Sequence, residues 1–277
     1  MRFTISLLLI SLLTTFAYAQ TDTARHKYSL FNPVPKDKMK DMETDRPDVT
    51  ESAYTVEAGH FQVETDLFKH TRNSSDGVNT IQNDYNLANY KLGLTQKMDI
   101  QLVMPTYVNI TTRDLKTGKI IDKTGGFDDI SVRLKYNLWG NDGGKTAFAL
   151  LPFIKLPTSS FANNGLQGGL TLPFALKIND NWSFGTQVSV SVAKEDDDNY
   201  HGEYLYSFTF GRLISKRLDC FIEAYANYNA YSKITDTYAN GGLIFSVTDN
   251  LNIDTGLNYG LSKTADKVYF VGLSFRY

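Results

Sequence analysis

Val247-Thr248-Asp249-Asn250-Leu251-Asn252-Ile253 holds an apolar residue, a short polar run of turn formers, and an apolar residue that begins an alternating stretch. That is a tight turn between two antiparallel strands. The same reading fits Leu94-Thr95-Gln96-Lys97-Met98-Asp99-Ile100, Ile178-Asn179-Asp180-Asn181-Trp182-Ser183-Phe184 and Ile214-Ser215-Lys216-Arg217-Leu218-Asp219-Cys220. A fifth turn is Trp139-Gly140-Asn141-Asp142-Gly143-Gly144. Between consecutive turns there is room for strand, loop, strand. Short turns then recur on one side of a sheet and variable loops on the other, which is the pattern of an antiparallel up-and-down transmembrane β-barrel.

The stretches between these turns alternate. Ile130, Val132, Leu134, Tyr136 and Leu138 stand against Asp129, Ser131, Arg133, Lys135 and Asn137. Phe61, Val63, Thr65 and Leu67 stand against His60, Gln62, Glu64 and Asp66, and Met98, Ile100, Leu102, Met104, Thr106 and Val108 take one face. Period two with one polar face reads as a half-buried strand. The runs are about 10–14 residues, nearer the ~9–11 that cross a bilayer at a tilt than the ~5–6 of soluble sheets. Twelve strands are expected: 59–69, 81–94, 98–111, 127–139, 145–157, 165–178, 182–194, 201–214, 218–231, 236–247, 251–263 and 267–277. The polar stretches 70–79, 112–126, 158–164, 195–200, 233–236 and 264–266 are the expected outer loops.

Residues 1–19 stand apart. Arg2 precedes an apolar core from Ile5 to Phe16, and Ala17-Tyr18-Ala19 fits the small-x-small cleavage rule. This reads as a signal peptide cleaved after Ala19. Residues 20–56 form the next unit, an extended segment with Pro33, Pro35 and Pro47, and residues 57–277 the barrel. The mean hydropathy of −0.28 suits a barrel, because only alternate residues face lipid. Aromatics make up 13%, with 17 Tyr and 17 Phe. A net charge of −2 offers no case for nucleic acid as a partner. Cys220 is the single cysteine, so no intramolecular disulfide or thiolate cluster is available. Tyr269, Val271, Leu273, Phe275 and Tyr277 alternate up to an aromatic last residue, similar to the signal read by the outer-membrane assembly machinery.

Two further stretches carry a family resemblance. One is Thr44-Asp45-Arg46-Pro47-Asp48-Val49-Thr50-Glu51-Ser52, followed by Val56-Glu57-Ala58-Gly59-His60-Phe61-Gln62-Val63-Glu64. The other is Gly126-Phe127-Asp128-Asp129-Ile130-Ser131-Val132-Arg133-Leu134-Lys135-Tyr136, with Lys155-Leu156-Pro157-Thr158. Together they resemble, over residues 44–277, the transporter family named for the MetA pathway of phenol degradation. The resemblance implies an outer-membrane barrel that passes small molecules. It supplies no catalytic residues.

The candidate site is the polar row that parity turns inward: His60, Glu64, Asp66, Asp129, Arg133, Lys135, Glu203, Asp219, Glu223, Asp254 and Arg276. Two readings stand. Opposite charges pair and fill the lumen as a polar core, or they line a wet path. The box Asp45, Arg46, Pro47, Asp48, with Thr50 and Glu51, either folds into the periplasmic mouth as a plug or caps the first strand.

Enzymatic function is not expected. A barrel hydrolase would set Ser two residues from His so that imidazole activates the hydroxyl, but His26, His60, His70 and His201 are followed there by Tyr28, Gln62, Arg72 and Glu203. Asp196-Asp197-Asp198 reads as a solvated loop with at most loose Ca²⁺ affinity. No cofactor is expected. The expectation is a channel in the bacterial outer membrane for passive passage of small molecules, aromatic or hydrophobic ones among them. Its partners would be the lipid bilayer, lipopolysaccharide and the assembly machinery. The alternatives are a structural or surface-binding barrel with a closed lumen and, third, an outer-membrane hydrolase.

Overall fold

The computed structural model describes residues 28–162, 165–194 and 199–277. The signal peptide with its cleavage site, His26 and the Asp196–Asp198 run lie outside the described residues. The strands are β1 (Phe61–Ser75), β2 (Val78–Thr95), β3 (Met98–Asp114), β4 (Ile120–Gly126), β5 (Ile130–Trp139), β6 (Thr146–Leu156) and β7 (Gln167–Lys177). They continue as β8 (Trp182–Lys194), β9 (Tyr200–Ser215), β10 (Leu218–Asn229), β11 (Ile234–Thr248), β12 (Leu251–Gly260) and β13 (Lys267–Arg276). Consecutive strands pair antiparallel, except that β4 and β5 both pair with β3, and β1 pairs with β13, so the sheet closes. Closure leaves no open edge around the ring, which a lipid environment requires.

Twelve staves make the ring, as expected from the turn spacing, because β4 and β5 are one interrupted stave. Val108↔Gly126 and Val103↔Ser131 keep the same register against β3, with no ladder pairs between them. The break belongs to a crease that crosses the wall. Leu67, Asn86 and Thr106 are each skipped by the ladder, and Asn86 has φ +54°. The Asn86 side chain accepts from Thr65 Oγ1 (2.9 Å) and donates to Thr106 Oγ1 (3.0 Å), replacing the missing backbone bonds. Facing is inverted across the crease. Val108, expected on the face of Ile100 and Leu102, is instead buried at 2% while those two are 39% and 37% exposed.

Outside the bilayer the wall goes on as sheet. Residues 70–79, expected as a loop, are strand closed by a two-residue turn at Asp76-Gly77, both with positive φ. Much of 112–126 is likewise β3 running to Asp114 and β4 returning, with Asp114 Oδ1 accepting the amides of Lys116 and Thr117. Apolar alternation stops at the membrane boundary, since both faces then meet water, so these strand halves carry no hydrophobic period.

The molecule is inverted relative to a soluble domain. Its largest fully buried side chains include Lys135, Gln62, Gln101 and Glu64, whereas Ile222, Val190, Leu243 and Leu257 are exposed on the outer wall. An apolar outer belt around a polar interior belongs in a bilayer. No helix among the described residues is long and apolar enough to cross a membrane. Cysteines placed at Ser75 and Lys119, in a Cys220→Ser background, should react with an impermeant maleimide on intact cells, and one at Asn181 should not. The reverse labelling would invert the topology.

Candidate functional site

Residues 28–58 cannot join the sheet as another stave. Pro33, Pro35 and Pro47 each lack an amide donor, and the run Lys36–Asp41 is charged. Their backbone groups still need partners once water is excluded. The inward side chains of the barrel supply them.

The segment first lies across the end that holds the short turns. Leu30 donates to Leu94 O (2.8 Å), Arg276 donates to Lys40 O (2.8 Å), and His60 Nε2 lies 2.7 Å from Val34 O. It then enters the lumen. Asp45 sits between two buried ammonium groups, 2.5 Å from Lys135 and 2.5 Å from Lys91, which also pairs with Glu64. Arg46 makes the complementary arrangement, 2.7 Å from Asp66 and 2.7 Å from Asp254. Val49 and Thr50 turn their amides onto the two oxygens of Glu223 (2.9 and 2.7 Å). Gln187 receives the Glu51 amide and donates to Val49 O, and Glu51 pairs with Arg133 at 2.5 Å. The chain closes on itself where Ser52 N donates to Asp45 Oδ1. It leaves past Asn137, Asn141 and Asp99, which take Ala53 O, Thr55 N and Val56 N.

Thr50 Oγ1 also meets Ser207 Oγ on β9 (2.7 Å), so the tip 45–56 touches β1, β2, β3, β5, β8, β9, β10 and β12. Two wall glycines make room for it. A Cβ at Gly272 would stand 2.0 Å from the Arg46 guanidinium, and one at Gly93 would stand 2.0 Å from Glu57 O. Beside the segment, toward β7–β10, remains a cavity of about 500 Å³ whose lining includes Asp48, Glu51, Tyr54, Thr209, Asp219 and Phe221.

The electrostatics follow from the pairing. Burial acts against ionisation of Asp45, but Lys135 and then Lys91 hold its carboxyl well below the usual carboxylate range. Burial likewise opposes the charge on Arg46, and Asp66 and Asp254 overcome it, so the guanidinium is held more firmly charged than usual. Asp48 has no such partner. Burial, and after it the carboxylate of Glu223, pushes it well up.

Eight of the inward residues expected from parity bind or lie beside the segment: His60, Glu64, Asp66, Arg133, Lys135, Glu223, Asp254 and Arg276. Three do not. Asp129 holds the β6–β7 loop through the amides of Thr158 and Ser159, Glu203 lies by His201 and Asn229 at the far end, and Asp219 lines the cavity. Sequence reasoning missed Lys91, Asp99, Gln187 and Asn141. For Lys91 the available signal was parity with Asn89, broken from Gln82 and Asp84 by the inversion at Asn86. Among the described residues no group of three His, Cys, Asp or Glu is placed to hold a metal ion.

A family model described as "Putative MetA-pathway of phenol degradation" matches residues 44–277. No curated protein matches the sequence. Among solved structures, the NanC porin aligns with a TM-score of 0.50 at 9% identity, covering 78% of this chain and 98% of the porin. The KdgM porin aligns at 0.47 and 11% identity, covering 77% and 98%. At 9% identity the first likeness is one of fold.

Proposed function

Because the chain belongs to the MetA-pathway phenol-degradation family, we propose that it is a passive outer-membrane channel for small molecules, closed at rest by its own residues 41–56. The observation that carries the reading is the chemistry of the closure. A barrel built only as a scaffold could fill its lumen with apolar side chains at no loss of stability, since buried ion pairs are often neutral or worse against packed hydrophobes. Here the filling is a polar strap, held by exchangeable ion pairs and continuous with a segment at the open mouth. Such a strap can leave as a unit. The inward charges then serve docking when closed and line the path when open.

The outward face of β13 (Tyr269, Val271, Leu273, Phe275), followed by Tyr277, fits recognition by the assembly machinery, and the outer belt fits the bilayer. The role is non-catalytic. The closed-lumen scaffold is the second reading, favoured by the extent of the contact between strap and wall.

Purified mature protein in planar bilayers distinguishes the two readings. A channel gives brief openings separated by long closures, and small neutral solutes equilibrate across liposomes that contain it. Absence of both conductance and solute flux at every voltage would leave the scaffold.

A further inference from the structure

Beyond the crease the outward face of the sheet β1–β4 changes character row by row. Phe68, Tyr85 and Tyr107 form an aromatic row across three strands, with ring centroids 5.4 and 6.2 Å apart. Such a row marks a membrane interface. Two residues further out lie His70, Asn83 and Asn109. Two further still, the registers place Lys267, Arg72, Ile81, Thr111 and Lys123 side by side on β13, β1, β2, β3 and β4. Lys267 lies over the outward ring of Tyr259 at 4.7 Å, and Arg72 Nε is fixed on Asn79 Oδ1 at 2.9 Å. Arg113 stands in the next row, opposite Asn79.

All four cations are exposed, and among the described residues none pairs with a carboxylate. The acids of these strands beyond the crease, Asp84, Asp114 and Asp122, sit in the alternate register rows and so on the other face. Lys267 and Arg72 are direct cross-strand partners. Like charges so placed destabilise a sheet unless an anion joins them. The row lies four residues past the aromatic row, ~13 Å along the strand at ~3.3 Å per residue. At the usual tilt that is ~10 Å along the membrane normal, which is headgroup height.

We infer that this row is a binding surface for the phosphate groups of the anionic glycolipid of the outer leaflet, with Lys267, Arg72 and Lys123 as its contacts. The inference rests on the membrane placement proposed above and not on channel activity. Guanidinium and ammonium groups on adjacent strands offer a fork and a point charge to phosphate oxygens. The partner removes the repulsion between them.

Detergent-solubilised mature protein, titrated with fluorescently labelled lipopolysaccharide, tests this without reference to orientation or conductance. The triple variant Arg72→Ala/Lys123→Ala/Lys267→Ala should bind about 100-fold more weakly, from roughly five-fold per charge. Its heat-dependent gel mobility should match the wild type, showing that the barrel is intact. Arg72→Lys should keep most of the affinity, and Lys116→Ala/Lys119→Ala, at the hairpin tip, should keep all of it. Wild-type affinity in the triple variant would overturn the proposal. So would equal competition by neutral phosphatidylcholine micelles. Complete competition by millimolar inorganic phosphate would make the row a free-anion site and overturn the glycolipid assignment.

Discussion

Arg46→Ala is expected to open the barrel. Among the described residues the guanidinium is the sole cation between Asp66 and Asp254, which are 10% and 2% exposed. Removing it leaves two buried carboxylates facing each other, and breaking a buried pair in this way costs ~3–5 kcal/mol. The cost falls on the docked strap and not on the ladder, whose backbone bonds are untouched. The docked population should drop by roughly 10²- to 4 × 10³-fold, because each ~1.4 kcal/mol is tenfold. In planar bilayers long closures should give way to sustained conductance. Protease added from the mouth should then cleave within 41–56, while heat-dependent mobility stays that of a folded barrel. Arg46→Lys should be intermediate, since a point charge cannot reach two carboxylates as a planar fork does. Wild-type closures and protection in Arg46→Ala would show that the strap is not held by this latch.

Val132→Arg should fail to assemble where Ser131→Arg succeeds. Val132 pairs with Leu102 and Ile154, both exposed on the outer belt, about midway between the turn at Thr95–Met98 and the aromatic Tyr107. Arginine at that depth costs ~2–4 kcal/mol of insertion. Ser131 pairs with Lys155 and Val103 on the inward face, outward of the strap. A new cation there meets water and Asp129, and changes permeation at most. Equal yield and equal thermal stability in liposomes would mean that the facing of β5 is wrong.

Much of the architecture was legible because a bilayer imposes a strong rule on sequence. Outward residues at alternate positions must be apolar, so Ile130 to Leu138 or Leu251 to Leu261 declare both strand and face. Where that rule lapses, legibility lapses too. The stretches 70–79 and 112–126 fold as sheet outside the membrane, and with water on both faces nothing in their composition marks them as strand. Asp76-Gly77 and Gly118 were the local signals, turn residues with positive φ. The crease was hidden for another reason. One skipped residue per strand, Leu67, Asn86 and Thr106, inverts facing without altering the hydrophobic count, so Val108, just past Thr106, was assigned to the wrong side.

The sequence by itself determined the barrel, its stave number, its two ends and the inward facing of Glu64, Arg133, Lys135, Glu223 and Asp254, because each follows from a period of two and from turn chemistry, both local. Only the tertiary structure decided what those charges do. Asp45 meets Lys91 and Lys135, and Arg46 meets Asp66 and Asp254, across as many as 208 positions of chain. Which acid meets which base is set by closure of the ring and by where a proline-interrupted segment can satisfy its amides. No local pattern encodes that choice.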